Sequence, residues 1–154
     1  MYATKNILFA TDYSLSTDEI LTYAASLARE KGAKLLVTHV SRLEQYPVGE
    51  LFDEEPEPSD EEVDELESVA PLDPKMVCEH RLLYGDPAGE ILKLADEECV
   101  DAIVLGTRGH PRLARLFGGG VAEKVKRAAH CPVYVYHSRG QAERVQPAGS
   151  TSTT

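Results

Sequence analysis

Residues 5–40 read KNILFATDYSLSTDEILTYAASLAREKGAKLLVTHV, and this stretch decides the fold. Lys5 to Ala10 is a short apolar run bounded by polar residues, too short for a helix, and predicts a buried strand. Ser16-Thr-Asp-Glu19 has the form of a capping box, in which the serine hydroxyl accepts from the Glu19 amide while the glutamate reaches back. Ile20, Leu21, Ala24, Leu27 and Ala28 then recur at helical spacing until Gly32 ends the helix. Lys34 to Val40 predicts a second buried strand. Strand, helix and strand in so short a span form a βαβ unit, which requires a parallel sheet and a right-handed crossover.

The pattern continues outward from that unit. Val77–Tyr84 predicts a third strand, less apolar and so nearer a sheet edge. Gly85-Asp-Pro87 turns the chain, with Asp86 as cap and Pro87 in the first turn of a helix whose buried face is Ile91, Leu92, Leu94 and Ala95. Asp101–Gly106 predicts a fourth strand, Gly120–Ala129 a further helix, and Pro132–Tyr136 the last strand. Five strands alternating with four helices make a single α/β domain, a doubly wound five-stranded parallel sheet with helices on both faces. The domain spans residues 1–138, and the Gln-, Gly-, Ser- and Thr-rich tail, 139–154, is expected to be disordered.

The segment 41–75 breaks the rhythm. It holds 13 of the 26 acidic residues and only Arg42 and Lys75 as bases, and five prolines punctuate it. Ser59-Asp-Glu-Glu62 offers a capping box for one short helix to about Val69, so the segment is expected to be a loose acidic connection around that helix. From Arg108 to Arg127, by contrast, six bases stand against Glu123 alone. The net charge of −10 disfavours duplex nucleic acid, while the local basic stretch suits a small anion. No apolar run approaches the roughly 20 residues of a membrane helix. Three cysteines, Cys78, Cys99 and Cys131, show no C-x-x-C spacing, which fits a reducing cytoplasm.

In doubly wound sheets ligands bind beyond the carboxyl ends of the strands, where strand order reverses. Thr11-Asp12, Val40-Ser41 and the segment from Gly106 onward lie there. Gly106-Thr-Arg-Gly109 turns after a strand, and Gly118-Gly-Gly120 opens a helix whose amides and partial positive charge suit a phosphate. Arg108, Arg112 and Arg115 add to the field. The same glycines equally serve turn geometry, and Asp12 either caps the next turn or accepts from a ribose or adenine amine. Neither a P-loop nor G-x-G-x-x-G is present.

Gly106-x2-Gly109-x9-Gly119, followed by Val121-Ala-Glu-Lys-Val125 and His130-Cys-Pro-Val133, resembles the universal stress protein family. Ile7-Leu-Phe-Ala-Thr-Asp12-x-Ser14 and Gly85-Asp-Pro-Ala-x-x-Ile91 are similar as well, and the likeness covers residues 4 to 137. The resemblance implies strand order 3-2-1-4-5 and homodimers through the last strand, Val133–Tyr136, whose unpaired edge would invite pairing. It implies ATP, with Mg²⁺ or Mn²⁺ on its phosphates, as cofactor. Thr11, Asp12 and Val40 would line the adenosine side, Gly106, Arg108 and Gly109 would touch ribose and phosphates, and Gly119, Gly120 and Val121 would give amides to the phosphates. The family's ATP-binding branch carries Ser or Thr where this chain has Gly120, and a branch without the full motif shares the fold and does not bind ATP. The missing hydroxyl weakens binding by about tenfold, since a hydrogen bond to a charged group is worth about 1.5–3 kcal/mol.

Three readings of function follow. The first is a cytoplasmic regulatory protein of the stress response, an ATP-dependent homodimeric switch acting on a regulatory protein partner through the loop 107–118. The second is a slow ATP hydrolase, for which His110 is the only candidate by position to orient water. The third is a ligand-free scaffold of the same fold. His39 lies in a strand and reads as packed, and the remaining histidines form no spaced ligand set.

Overall fold

The computed structural model describes residues 5–14, 16–41, 57–106, 120–138 and 141–147. In chain order these form β1 (Asn6–Ala10), α1 (Thr17–Lys31), β2 (Lys34–Ser41), α2 (Asp60–Glu67) and β3 (Cys78–Tyr84). They continue with α3 (Pro87–Glu97), β4 (Ala102–Gly106), α4 (Val121–Ala128), β5 (Val133–Ser138) and β6 (Gln141–Val145). The sheet runs β3-β2-β1-β4-β5-β6, the first five strands parallel and β6 antiparallel to β5. The expected order is present, β3 does lie at an edge, and a sixth strand has been added.

Strand alternation sends neighbouring residues to opposite faces, and both faces are covered. Ile7, Phe9, Leu35, Val37, Val104, Tyr134 and Tyr136 pack under α1 and α2, together with Ile20, Leu21, Ala24 and Leu66. Leu8, Leu36, Ile103, Leu105, Val133 and Val135 pack under α3 and α4, together with Ile91, Leu94 and Val125. The near-continuous apolar runs are therefore strands buried on both sides: Ile7, Leu8, Leu35, Leu36 and Ile103 are fully enclosed.

The helix signals fare unequally. Gly32 ends α1 in the left-handed conformation (φ 63°), which suits glycine, and its neighbour's amide bonds back from Ala33 to the Ala28 carbonyl at 2.8 Å. Asp86 caps α3 by accepting from the Gly89 amide at 2.9 Å, with Pro87 in the first turn. The Ser59–Glu62 capping box forms in both directions at the start of α2. The box expected at Ser16 does not form. Ser16 sits at φ −86°, ψ 0°, short of the extended conformation a cap requires, and Glu19 instead accepts from the Tyr136 hydroxyl at the end of β5.

A second correction concerns the end of the chain. Gln141–Val145 is not a disordered tail but β6, laddered to β5 from Val133↔Val145 to Ser138↔Gln141. Gln-Ala-Glu-Arg-Val shows no apolar alternation because its inward positions are Ala142 and Arg144, the second covering the Tyr134 ring with a guanidinium. The β5 edge expected to be open to a second copy is consequently paired within the chain. Of the acidic segment, residues 42–56 lie outside the described residues.

Candidate functional site

Parallel strands deliver their C-terminal ends to one edge of the sheet, and β1 and β4 are neighbours there, with Phe9 paired to Val104. The chain leaves β1 toward β2 on one side and leaves β4 toward β5 on the other, which makes this the topological switch point. Helix α4 runs back between β4 and β5, so its N-terminus opens on the same edge.

The turn after β1 is built by its own side chains. Thr11 is buried; its amide donates to the Thr38 carbonyl at 2.9 Å, and its hydroxyl accepts from the Tyr13 amide at 3.0 Å and meets the Thr17 hydroxyl at 3.2 Å. Asp12 is half-buried, and its Oδ1 accepts from the Ser14 amide at 2.9 Å, the local turn that an aspartate after a strand favours. Tyr13 takes a left-handed backbone (φ 59°), a conformation costly for a residue with a side chain. Its ring stacks on His39 with centroids 4.2 Å apart. His39 Nδ1 donates to the Thr11 carbonyl at 2.8 Å, which assigns the ring proton to that nitrogen. Burial, with the nearby charges of Glu65 and Glu62 on α2, pushes the Tyr13 hydroxyl well above its ordinary range, so it stays a neutral donor. Ser14 is also buried, and among the described residues its hydroxyl has no hydrogen-bond partner.

The Val40 side chain belongs to the core beneath α3 and does not line a pocket. Its main chain is the relevant part. Along β2, even-numbered residues bond toward β1, as Lys34 does to the Lys5 carbonyl and Thr38 from the Thr11 amide. Odd-numbered ones bond toward β3, as Leu35 does to Val77 and Ser41 from Gly85. Strand parity therefore aims the Val40 amide and carbonyl at the β1 side, beyond the last β1–β2 pair, Ala10↔Thr38. A donor and an acceptor side by side are what the edge of a purine pairs with.

On the β4 side, Gly106 pairs with Tyr136, and a Cβ at this position would collide with Ile20 Cδ1. Close approach of α1 is thus one reason for glycine here, independent of any ligand. Gly120 is the N-cap of α4 with no side-chain cap bond, and its carbonyl accepts from the Lys124 amide at 2.8 Å. The amides of Val121, Ala122 and Glu123 have no acceptor within the helix. Glu123 in that first turn is paired to Lys126 at 2.8 Å, which tempers the field an anion would meet. The structure brings Thr11, Asp12, Val40, Gly106, Gly120 and Val121 to one edge of the sheet. Arg108, Gly109 and Gly119, with His110 and the rest of 107–119, lie outside the described residues.

The model of the universal stress protein family matches residues 3–137. This chain belongs to that family. A universal stress protein of Methanocaldococcus jannaschii is 31% identical over 141 residues, covering 85% of this chain and 81% of its own length. A crystal structure of a universal stress protein in complex with cAMP superposes with a TM-score of 0.62 at 24% identity, covering 88% of this chain and 98% of that one. The universal stress protein from Archaeoglobus fulgidus in complex with dAMP superposes at 0.61 and 23% identity, over the same shares of the two chains. At these identities the two complexes establish the fold of this universal stress protein family member.

Three features at this edge of the sheet are not read from the sequence. The Tyr13–His39 stack and the Ser14 hydroxyl depend on a turn whose backbone no local pattern specifies. The direction of the Val40 main chain is hidden because a valine reads as packing, and only the bond alternation along β2 reveals it.

Proposed function

We propose that this universal stress protein binds an adenine nucleotide, ATP with Mg²⁺ or Mn²⁺ on its phosphates, in the crevice between the ends of β1 and β4. The observation that carries the reading is the bond alternation along β2, which turns the Val40 amide and carbonyl toward the β1 side, where Asp12 follows the strand end. These groups fit an adenosine: an adenine edge needs one donor and one acceptor, and a ribose hydroxyl donates to a carboxylate. The α4 N-terminus supplies amides for phosphate at the other end, without the hydroxyl that Gly120 lacks. The cAMP and dAMP held by the two structurally similar proteins support an adenine nucleotide here. Arg108, Gly109 and Gly119 are proposed to complete the ribose and phosphate contacts.

The proposed role is regulatory: in the cytoplasm, nucleotide would bias the 107–119 segment and so a surface read by a protein partner in the stress response. A homodimer through Val133–Tyr136 would need β6 to leave β5 first, because the folded chain presents no free β5 edge. The test is calorimetric titration of ATP into the purified protein and into Asp12→Ala, after identifying any small molecule released by heating. Saturable heat from the wild type, with affinity at least tenfold weaker in Asp12→Ala and melting only slightly lowered, supports the site. No heat from the wild type or from Gly120→Ser at millimolar ATP refutes nucleotide binding and leaves the ligand-free scaffold.

A further inference from the structure

We infer that β6 is a built-in cover for the β5 edge, and that it bars a second copy of this chain from pairing there. The inference stands apart from nucleotide binding and uses no residue of the nucleotide crevice.

Val133, Tyr134, Val135 and Tyr136 are all buried, and β5 bonds β4 along one side only. Half of its amides and carbonyls therefore point away from β4, and a strand this apolar with an open edge is a template for another chain. In this chain β6 takes that place, with Val133↔Val145, Tyr134↔Arg144, Val135↔Glu143, Tyr136↔Ala142 and Ser138↔Gln141 in register. Only Arg139 and Gly140 separate the paired ends, so the cover is local in sequence and meets β5 before any second molecule can.

Side-chain contacts hold it from both faces of the sheet. On the α1 side Ala142 packs against the core and the Arg144 guanidinium lies 5.8 Å from the Tyr134 ring centre. On the α4 side Glu143 meets His137 Nε2 at 3.5 Å and Lys126 Nζ at 4.0 Å. The edge that β6 itself turns outward is of different character. Glu143 and Arg144 are exposed and Pro147 follows shortly, features that discourage a further strand. An apolar edge has been exchanged for a charged one, and the occupant is the chain's own strand.

The experiment is sedimentation velocity with residue-resolved amide hydrogen exchange on the full-length protein, over a hundredfold range of concentration, with Ala142→Pro/Glu143→Pro as the opened variant. Alternate amides of an antiparallel strand face the neighbour, so proline at two successive positions removes at least one ladder bond. In the wild type the β6 amides should exchange slowly at every concentration. The variant should expose β5 amides at low concentration and self-associate as concentration rises, with those amides regaining protection. Fast exchange across β6 in a wild-type dimer whose β5 amides are protected would overturn the inference. So would a folded variant that stays monomeric throughout. Should the variant fail to fold, the wild-type pattern decides: protected β6 amides independent of concentration uphold the cover, and unprotected ones refute it.

Discussion

Replacing Gly120 with serine restores the one hydroxyl that the proposed phosphate site lacks, and its effect can be worked from the geometry. Gly120 is the N-cap of α4 at φ −106°, a value open to any residue, so serine brings no backbone strain. Three positions on stands Glu123, but Gly120 sits at ψ −20°, in the helical region, so the capping box that this spacing offers does not close, as at Ser16. The serine hydroxyl is then free to donate to a phosphate oxygen. Gly120, Val121 and Ala122 are only half-buried, so water competes and the bond belongs near the low end of the range for charged acceptors, about 1.5 kcal/mol. That is roughly a tenfold tighter Kd for ATP. The gain in stability is far smaller, because glycine is already a fair N-cap and serine improves on it by only a few tenths of a kcal/mol. Titration calorimetry of both proteins, with thermal melting as control, separates the two effects. The expected result is a tenfold gain in ATP affinity, a much smaller gain for adenosine, and a Tm raised by about 1 °C. Equal Kd values for ATP in wild type and Gly120→Ser would show that no phosphate sits at this helix end.

The remaining predictions concern the two sides of the crevice and the thiols. Asp12→Ala should weaken ATP binding at least tenfold while lowering Tm only slightly, since the turn keeps the Thr11–Tyr13 bond; wild-type affinity would reduce Asp12 to a turn residue. Gly106→Ala should destabilise by about 1–3 kcal/mol in urea unfolding, because its Cβ meets Ile20 Cδ1, and Gly106→Ala/Ile20→Val should recover most of the loss. An undiminished double-mutant loss would point to the backbone rather than to Ile20. Iodoacetamide at pH 8 should modify exposed Cys99 first, with Cys78 and Cys131 slow because burial pushes each thiol up to about 11. Their rates should climb with pH as thiolate forms, and mass mapping in urea should show all three alike.

Much of this architecture was legible because both faces of the sheet are covered. A strand buried on both sides must be apolar throughout, so Ile7–Phe9, Leu35–Val37 and Ile103–Leu105 announce themselves. β6 was illegible for the opposite reason: Gln-Ala-Glu-Arg-Val commits only Ala142 and Arg144 to the core side, and its ladder depends on where β5 already lies. Ser16 shows the limit of local motifs. Its sequence is as good a capping box as Ser59's, yet Glu19 finds Tyr136 across the sheet and the box does not close. The candidate site was legible as a list of positions but not as a set of functions. Asp12 and the α4 terminus follow from strand order, whereas the backbone edge proposed for Val40 is concealed by its side chain.

The cover strand and the proposed phosphate helix share an ion pair, and its strength limits what nucleotide can do through it. Lys126 of α4 reaches Glu143 of β6 at 4.0 Å, while its shorter bond, 2.8 Å, goes to Glu123 on its own helix. Glu143 is about half exposed, at 51%, so the pair is a surface ion pair worth about 0–1 kcal/mol. Even its complete loss on binding would shift the closed–open balance of β6 by no more than about fivefold. Five ladder pairs and the contacts of Ala142 and Arg144 oppose that opening. Breaking this pair alone therefore does not expose the β5 edge. A switch driven by ATP, as proposed, would have to act through some contact other than the Lys126–Glu143 pair.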